Sequence, residues 1–510
     1  MTVRVLSARE SAERELAAIG GGVPSRALMQ RAGAAAAGEI ALRYPDRLTS
    51  GVVVFAGSGN NGGDGWVVAR ALAAVGARVR VAEVGEAKTE DARAERALGL
   101  PHVTAGPARG AEGIIVDALL GTGTTGAPRG SVAEAVARIA ELRGQGSVVV
   151  ALDVPSGIEA TTGDREGAVR ADLTITFAAA KRGHLVAREA CGRLVVVDIG
   201  LPPAAAERSP QLVDDAWMAS ALPPIPPDAH KGIRKKVVIV GGAEGMAGAA
   251  TLAAWAASRS GVGMTRLLVA RGSLGSVQTA APQSLAAAWP QSADEVSRLV
   301  NDWADAVLIG PGLGEGVASR ELVERVLRGW RGPVVVDADA LNVFKDDPDA
   351  LGALLGGRPA LLTPHVAEFA RLARCTTSYV LEHRFDIGGG LAQRLRCAVL
   401  LKGTPTVVTD PAGDRLVSAA GNATLAAAGS GDVLAGIAAT LLAQTGDPLR
   451  AGACAAWAHG RAAELATHGR PVRGSTLDDV VSRLADAWPS RAAPRRYPVL
   501  AELPPAEGEG

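Results

Sequence analysis

The sequence has no excess of either charge, because its 53 Lys and Arg residues equal its 53 Asp and Glu residues. A basic surface of the kind that binds phosphate backbones is therefore not indicated, which argues against nucleic acid and anionic membranes as partners. Hydrophobic residues make up 48% of the chain, but no run is long enough to cross a bilayer. The amino terminus lacks the basic segment followed by an apolar segment that marks a secretory signal. We expect a cytoplasmic protein without membrane contact.

Cysteine is also scarce, and the four cysteines are Cys191, Cys375, Cys397 and Cys454. They lie far apart and form no CxxC pair, so neither a zinc site nor a disulfide framework is indicated. We expect them to behave as small buried hydrophobic residues. A length of 510 residues exceeds what one hydrophobic core usually organises, and this predicts two or three domains.

The most informative stretch is Gly429-Ser430-Gly431-Asp432, because apolar residues at helical spacing follow it directly. Small residues before a buried helix let an anion approach the unpaired N–H groups of the helix start. Asp432 beside such an anion could accept a proton from a hydroxyl that is about to receive a phosphoryl group. The alternative is a glycine-rich turn in which the aspartate only caps the helix.

The first half of the chain repeats a pattern of strand, small-residue loop and helix. An alanine-rich helix is predicted over residues 25–44 and a buried strand over 51–56, followed by a glycine loop over 57–65, after which a helix begins near Val67. This is the layout of a phosphate-binding turn between a strand and a helix. The spacing does not fit the GxGxxG fingerprint of dinucleotide-binding proteins. The asparagines and Asp64 of the loop instead offer amides and oxygens to a ligand.

Two further strands of this half end in carboxylates. The predicted strand over 114–116 ends in Asp117, and the one over 148–152 ends in Asp153, with Ser156 shortly after it. Because ligands of an open parallel sheet bind at the carboxyl edge of its strands, we expect these loops to converge on one cleft. Taken singly, each aspartate is more often a turn or cap residue.

The second half restarts the same organisation after a proline-dense segment. Strands over 237–240, 306–309, 334–336, 361–362 and 399–401 each lead into glycines or polar residues. His365 and Lys402 follow two of these strands at the same predicted edge as Asp432. A capping histidine and a solvated lysine are the alternative interpretations of these two residues.

These motifs resemble a known family. The first half resembles the NAD(P)H-hydrate epimerase domain through LMQRAG (28–33), GSGNNGGDGWVVAR (57–70), DALLGTGTTG (117–126), LDVPSG (152–157), TFAAAKRGHL (176–185) and VVDIGLP (196–202). The second half resembles the ADP-dependent NAD(P)H-hydrate dehydratase of the ribokinase-like group through HKG (230–232), GPGLG (310–314), DADALN (337–342), TPH (363–365), KGTPT (402–406) and GSGDVLAGI (429–437). Together the two halves resemble the bifunctional nicotinamide nucleotide repair enzymes of bacteria.

The resemblance implies an α/β protein with two three-layer α/β/α domains, the first Rossmann-like and the second ribokinase-like. Its predicted parts are an epimerase domain over 1–205, a proline-rich linker over 206–228, a dehydratase domain over 229–490 and a flexible tail over 491–510. The implied substrates are ADP and the hydrates of NADH and NADPH, and we expect a homo-oligomer that binds neither nucleic acid nor membrane.

For the epimerase, the resemblance implies that Asp153 is the acid and base at the hydrated ring, where the R and S forms interconvert. Substrate-binding positions carried over by motif are Asn60, Asn61, Gly62, Gly63, Asp64, Gly121, Thr122, Gly123, Thr124, Thr125, Gly126, Ala127 and Asp153. Asn61, Asp117 and Ser156 are implied ligands of a potassium ion, and their oxygens are the hard donors that such a cation takes. Lys181 is a weaker candidate near the same edge.

For the dehydratase, the resemblance implies that ADP phosphorylates the S hydrate and that loss of phosphate restores NAD(P)H, with AMP as the second product. Asp432 would deprotonate the hydroxyl, and the amides of residues 429–431 would stabilise the phosphoryl charge. The implied hydrate-binding residues are Ala249, Gly312, His365 and Asp432. The implied ADP- and AMP-binding residues are Lys402, Gly403, Thr404, Pro405, Thr406 and Gly431. A magnesium ion bound with the nucleotide is a further expectation.

The sequence departs from the family pattern in two loops. Residues 423–425 read Ala-Thr-Leu where proline, glycine and methionine are usual, and Ala428 replaces a glycine. Val366 and Ala367 replace a proline and a glycine after His365. Each lost glycine removes access to positive φ, so we expect altered loop geometry and rate with the activity retained.

Two other functions fit parts of the sequence. A ribokinase-like domain with GSGD could be a vitamin kinase that uses ATP, although the fused NNGGDG domain argues against this. The first domain could instead be a binding module without catalysis. Asp117 and Asp153 argue for chemistry, because a scaffold needs neither carboxylate.

Overall fold

The structure is a computed structural model that describes residues 2–202, 208–489 and 495–506. It divides into two compact units, of which the first comprises Met1–Leu212 and Pro494–Ala506 and the second comprises Val213–Ala493 and Glu507–Gly510. Each unit has its own sheet and its own hydrophobic cores.

The strands up to the division of the units are β1 (Val5–Leu6), β2 (Val52–Ala56), β3 (Val79–Glu83), β4 (Thr104–Ala105), β5 (Ile114–Ala118), β6 (Val148–Leu152), β7 (Leu173–Phe177), β8 (Ala180–Lys181), β9 (Arg193–Val197) and β10 (Gln211–Val213). The later strands are β11 (Lys236–Val240), β12 (Met264–Val269), β13 (Leu285–Ala288), β14 (Ala306–Ile309), β15 (Val334–Val336), β16 (Ala360–Leu362), β17 (Ala398–Leu401), β18 (Thr406–Thr409), β19 (Arg415–Ser418) and β20 (Val499–Leu503).

The helices of the first unit are α1 (Ala8–Gly20), α2 (Ser25–Arg43), α3 (Pro45–Leu48), α4 (Asn60–Ala74), α5 (Glu90–Gly99), α6 (Ser131–Gly144), α7 (Arg182–Val186) and α8 (Arg188–Cys191). Those of the second unit are α9 (Asp215–Ala221), α10 (Ala247–Arg259), α11 (Leu274–Ala280), α12 (Ala293–Val296), α13 (Val317–Gly329), α14 (Asp339–Asn342), α15 (Pro348–Leu355), α16 (Val366–Ala373), α17 (Thr377–Glu382), α18 (Gly388–Leu395), α19 (Ser430–Thr445), α20 (Pro448–Thr467) and α21 (Leu477–Ala487).

The first unit is built on an eight-stranded sheet in the order β20-β9-β7-β6-β5-β2-β3-β4. All neighbouring strands are parallel except β20 and β9, which are antiparallel. Val52 and Val54 of β2 pack with α2 and α4 on one face, while Val53 and Phe55 pack with α6 on the other. Helices on both faces bury the central strands β2 and β5 completely, as continuous apolar runs require.

The second unit places β11 in the interior of its sheet, in the order β19-β18-β17-β16-β15-β14-β11-β12-β13. The strands from β13 to β17 are parallel, and β18 and β19 add an antiparallel edge. One face packs against α10, α19, α20 and α21, and the other against α13, α15, α16 and α18. The two three-layer α/β/α domains predicted from the sequence are confirmed.

The glycine motif of the first unit differs from its prediction as a loop. Helix α4 begins at Asn60, so the motif forms the first turn of the helix. The reason is steric, because a Cβ at Gly62 would overlap the carbonyl oxygen of Gly57 and a Cβ at Gly65 would lie 2.6 Å from the Cβ of Ala118. These glycines let the helix start press against the neighbouring strands.

The predicted linker and tail also differ from the structure. Strand β10 and helix α9 lie inside the predicted linker, while residues 206–207 are outside the described part. Residues 491–494 and 507–510 of the predicted flexible tail are likewise outside it, but Val499–Leu503 forms β20 and pairs with β9. Glu502 of this strand is ion-paired with Arg43 at 2.8 Å and with Arg193 at 2.6 Å. Hydrogen bonds between β20 and β9, together with these ion pairs, therefore order a segment that its prolines suggested to be flexible.

We predict that truncation after residue 494 destabilises the first unit selectively. The truncation removes the β20 ladder and leaves Arg43 and Arg193 without Glu502, and each lost hydrogen bond contributes about 1 kcal/mol. A loss of several hydrogen bonds should lower the melting temperature of this unit by roughly 5–10 °C. Thermal unfolding of the truncated chain measures the change. Truncation after residue 506 is the matched control, and equal melting curves for the two truncations would contradict the prediction.

Two candidate active sites

The glycines of the first unit bring the loops after β2 and β5 into contact. A Cβ at Gly57 would overlap the carbonyl oxygen of Leu119, and a Cβ at Gly121 would lie 3.4 Å from the Cβ of Asn61. The predicted binding residues of the α4 start and of the 121–127 loop are therefore adjacent.

A hydrogen-bonded network connects the three predicted potassium ligands. Asp117 is buried and accepts hydrogen bonds from the hydroxyl and the amide of Ser156, at 2.6 and 2.8 Å. The Ser156 hydroxyl accepts a bond from the amide of Leu120 at 2.9 Å, and the Leu120 carbonyl accepts one from Nδ2 of Asn61 at 2.8 Å. Burial raises the pKa of Asp117, and the bonds from Ser156 partly offset this effect.

The side-chain oxygen of Asn61 is the unsatisfied atom of this network. Oδ1 of Asn61 is buried and has no hydrogen-bond partner among the described residues. A buried carbonyl oxygen without a donor is costly, and a cation would satisfy it. No group of three His, Cys, Asp or Glu side chains in the described part of the chain has the arrangement of a metal site. The amide, carboxylate and hydroxyl of the network fit an alkali cation better than a transition metal.

Asp153 lies directly after β6 in a left-handed conformation, with φ of 59°. Its Oδ1 is 2.5 Å from Nζ of Lys181, which is itself buried. Burial alone would raise the Asp153 pKa, but the charge and the hydrogen bond of Lys181 outweigh it and the pKa is lowered. Asp153 is thus held as a carboxylate.

The pKa of a second carboxyl group near Asp153, that of Asp64, is shifted in the opposite direction. Burial, followed by the negative charges of Asp153 and Glu15, raises the pKa of Asp64 well above its ordinary value. The pKa of Glu15, on α1, is raised by partial burial and by the charge of Asp153. Sequence reasoning missed Glu15, because a single glutamate on an amphipathic helix carries no local signal.

In the second unit, Asp432 lies in the first turn of α19, which begins at Ser430 after Gly429 with φ of 90°. Helix α19 can approach α10 closely because a Cβ at Gly436 would overlap the carbonyl oxygen of Ala253. The predicted turn from a glycine loop into a buried helix is confirmed. The helix start places the unpaired amides and Asp432 at the same point.

Lys402 contacts Asp337, which the sequence analysis named as the first residue of the DADALN motif but did not assign to a site. Nζ of Lys402 is 2.9 Å from Oδ1 of Asp337, which also accepts a bond from Thr363 at 2.7 Å. The second carboxylate oxygen of Asp337 is buried without a hydrogen-bond partner in the described part of the chain. A Cβ on Gly431 would lie 3.2 Å from Nζ of Lys402. Lys402 and the GSGD segment therefore belong to one site.

This environment changes the protonation of Asp432. Burial, and then the negative charge of Asp337, raise the Asp432 pKa to about 7, while Lys402 acts in the opposite direction. A carboxyl group with such a pKa can accept and release a proton near neutral pH.

His365 caps the start of helix α16, as the alternative interpretation of this histidine in the sequence predicted. Its Nδ1 accepts a bond from the Ala367 amide at 3.1 Å, and the Glu368 carboxylate accepts one from the His365 amide at 2.8 Å. Burial is the main cause of its lowered pKa, although the charge of Glu368 opposes this. Lys402 and Asp337 act on the same imidazole, so His365 also borders the site.

The other residues predicted for the dehydratase lie in two parts of the second unit, near the start of α10 and after β17. A Cβ at Gly312, which has φ of 56°, would lie 2.9 Å from the Cβ of Ala249 near the start of α10. In the segment after β17, the Thr406 hydroxyl donates to the Gly403 carbonyl at 2.9 Å and Arg384 donates to the Thr404 carbonyl at 2.5 Å.

The departures from the family pattern cause no backbone conflict. Residues 423–425 form a 3₁₀ turn in which the side chain of Asn422 accepts a bond from the Thr424 amide at 3.1 Å. No residue between Asn422 and Gly429 has a positive φ. Val366 and Ala367 occupy the first turn of α16. None of these positions needs glycine here.

His459 of α20 is a further residue that sequence reasoning missed. Its Nε2 lies 3.4 Å from the Ser430 hydroxyl, and burial followed by the charge of Lys402 lowers its pKa to about 4. Its surroundings in the sequence are alanine-rich and look like ordinary core. Only tertiary packing connects this imidazole with the GSGD turn.

The fold and the two groups of ionisable side chains define an enzyme with two α/β domains, each with its own site. A family model described as NAD(P)H-hydrate dehydratase matches residues 237–485, and one described as YjeF-related protein N-terminus matches residues 25–183. No helix among the described residues is long and apolar enough to span a membrane.

Named relatives match nearly the whole chain. The bifunctional NAD(P)H-hydrate repair enzyme of Moorella thermoacetica is 36% identical, over 91% of this chain and 92% of that protein. The enzyme of the same name from Escherichia coli is 36% identical, over 90% of this chain and 88% of that protein. A solved Bacillus subtilis ADP/ATP-dependent NAD(P)H-hydrate dehydratase, co-crystallised with ATP and Mg²⁺, has 27% identity and a TM-score of 0.47, covering 54% of this chain and 96% of that one. The chain belongs to the family of bifunctional NAD(P)H-hydrate repair enzymes.

We predict that the dehydratase reaction loses rate below neutral pH. A base must be ionised to accept a proton, and the Asp432 pKa of about 7 leaves a decreasing ionised fraction as the pH falls. The value of kcat/KM should drop about tenfold per pH unit well below this point. Asp339→Asn removes the second negative charge, after that of Asp337, that raises the Asp432 pKa, so it should move the acid limb to lower pH. An acid limb centred near pH 4 in the wild type would contradict the prediction.

Proposed function

We propose that the first unit interconverts the R and S hydrates at Asp153. The carboxylate lies at the carboxyl edge of the sheet, and the first turn of α4 and the loop 121–127 are adjacent there to hold the substrate. The pKa of Asp153 is lowered while that of Asp64 is raised, so a base and an acid are available together. Two carboxyl groups whose environments separate their pKa values are typical of acid–base catalysis.

We further propose that Asn61, Asp117 and Ser156 hold a potassium ion beside this site. The support is the unsatisfied buried oxygen of Asn61 and the fact that each of the three side chains offers an oxygen to a cation. When bound, the cation would supply a fixed positive charge that offsets the buried Asp117 carboxylate and attracts anionic groups of the substrate.

In the second unit we propose dehydration of the S hydrate with ADP as phosphoryl donor. Asp432 accepts the proton of the C6 hydroxyl as its oxygen bonds to the β-phosphorus of ADP, and AMP leaves. The C6–O bond then breaks with loss of a C5 proton, which restores the C5–C6 double bond and releases phosphate. The amides at residues 429–431 and the Lys402 ammonium stabilise the transferred phosphoryl group.

The remaining residues of this site have binding roles in the proposal. Residues 402–406 and Gly431 contact the adenine nucleotide, with Mg²⁺ neutralising its phosphates. Ala249, Gly312 and His365 contact the hydrate together with Asp432. The observation that carries the proposal is Asp432, with its pKa near 7, in the first turn of α19 beside Lys402.

A vitamin kinase is the second candidate for this unit, because phosphoryl transfer to a hydroxyl uses the same helix start and base. A binding role without chemistry is the second candidate for the first unit. The buried pairing of Lys181 with Asp153 favours catalysis, because a surface for binding does not need a buried charge.

We also propose that the protein is a cytoplasmic homo-oligomer. Its free cysteines fit the reducing conditions of that compartment.

The recovery of absorbance at 340 nm from mixed R and S NADH hydrate tests both activities. With ADP the wild type should restore all of the hydrate. Asp432→Asn should lower the dehydration rate by a factor of 10² to 10⁴, as loss of a general base does. Asp153→Ala should give a fast phase that stops near the S fraction, because the R form can no longer convert.

Two controls make this assay specific. Asp478→Asn alters an exposed carboxylate of α21 and should leave both phases unchanged. ATP with a vitamin substrate replaces ADP and the hydrate in a parallel reaction. Full recovery by Asp153→Ala would contradict the epimerase proposal, and vitamin phosphorylation without hydrate recovery would favour the kinase.

The potassium proposal predicts that only the epimerase responds to the alkali cation. Exchange of K⁺ for Li⁺ at constant ionic strength should slow R-to-S conversion several-fold and leave dehydration of pure S hydrate unchanged. K⁺ should also raise the melting temperature, because a ligand that binds the folded state stabilises it. Asn61→Ala should remove both responses. Equal rates and melting curves in the two salts would contradict the site.

A further inference from the structure

Lys181 is a buried cation to which the proposed reactions give no role. It is 1% exposed, and its ammonium group has three partners. Nζ lies 2.5 Å from Oδ1 of Asp153, 2.7 Å from the Thr176 hydroxyl and 3.3 Å from the Phe177 carbonyl. The three N–H donors of an ammonium group are matched by three acceptors, so the charge is buried with its hydrogen bonds satisfied.

The Thr176 hydroxyl completes a closed set of contacts around Asp153. It accepts a bond from Lys181 and donates one to Oδ1 of Asp153 at 3.1 Å. Oδ1 therefore has two donors. No hydrogen bond to Oδ2 is present among the described residues, which leaves one carboxylate oxygen for a ligand.

Two tight turns at neighbouring strand ends produce this geometry. The Val154 amide donates to the Leu152 carbonyl at 2.8 Å around Asp153, with φ of 59°. The Ala179 amide donates to the Phe177 carbonyl at 2.7 Å around Ala178, with φ of 60°. Three-residue turns centred on residues other than glycine at positive φ are rare and strained, and strain of this kind concentrates at functional sites.

We propose that Lys181 is a positioning residue for epimerisation, which together with Thr176 keeps Asp153 ionised and leaves Oδ2 as the oxygen that exchanges protons with the substrate. The inference rests on the proposed role of Asp153 as acid and base. The strained turns after β6 and β7 bring the Lys181 ammonium group to the Asp153 carboxylate.

The other ionisable groups that act on Asp153 cannot replace Lys181. Asp64 on α4 and Glu15 on α1 are acidic, and their raised pKa values reflect repulsion by the Asp153 charge in addition to burial. Burial, followed by the charge of Lys181, lowers the pKa of His184 on α7 to about 3, so this imidazole is neutral. Of these groups Lys181 alone donates a hydrogen bond from a basic side chain to the Asp153 carboxylate.

The test is the pH dependence of R-to-S conversion without ADP, measured by chromatographic separation of the two forms. Lys181→Met should move the acid limb of the profile upward by about one pH unit or more, because the largest influence that opposes the burial of Asp153 is then removed and mainly the Thr176 hydrogen bond remains. It should lower kcat at pH 6.5 at least tenfold while KM changes less. Lys181→Arg retains the charge and should recover part of the shift. Thr176→Val should shift the limb in the same direction by a smaller amount.

Three comparisons separate the possible failures. Dehydration of pure S hydrate with ADP and the melting curve establish that each variant is folded. If Asp153→Asn epimerises at the wild-type rate, the proposed role of Asp153 is wrong. If Asp153→Asn is inactive but Lys181→Met keeps the wild-type acid limb, the role of Lys181 is wrong. Should Lys181→Met not fold, unchanged acid limbs in both Lys181→Arg and Thr176→Val would overturn the inference.

Discussion

Both sites depend on a carboxylate that is withdrawn from water and held against a lysine ammonium. Burying a charge without a partner costs several kcal/mol, and an opposite charge with matched hydrogen bonds offsets this cost. The two units use the same pairing differently. In the first, Lys181 contacts Asp153 itself, and the pKa of Asp153 is lowered. In the second, Lys402 contacts Asp337, and the neighbouring Asp432 has a pKa of about 7.

This difference matches the chemistry that we propose for each unit. An acid–base residue that works in both directions on a bound ring must remain a carboxylate in the resting site. A residue that takes a hydroxyl proton during phosphoryl transfer gains from a pKa near the working pH. The position of the lysine relative to the aspartate of the proposed reaction, together with burial, therefore sets the direction of the pKa shift in each unit.

The sequence predicted the elements well where apolar runs end in polar residues. The predicted strands over 148–152, 306–309 and 334–336 coincide with β6, β14 and β15. The ends of these strands also identified Asp153 and the vicinity of Asp337. The contacts of Lys181 and His459 could not be predicted, since they depend on turns at positive φ without glycine and on the packing of α20. Strand β20 was missed because short strands next to prolines resemble irregular tails.

The return of the chain to the first sheet has a consequence for biosynthesis. The strand at residues 499–503 follows residues 213–493 of the second unit in the chain, although it belongs to the first unit. A ribosome that makes 5–20 residues per second therefore finishes most of the first unit well before the edge of its sheet can close. During that interval β9 exposes unpaired backbone groups, and an exposed sheet edge invites pairing with other chains. Incomplete chains on neighbouring ribosomes of one mRNA can therefore pair through β9 more readily than the finished protein can.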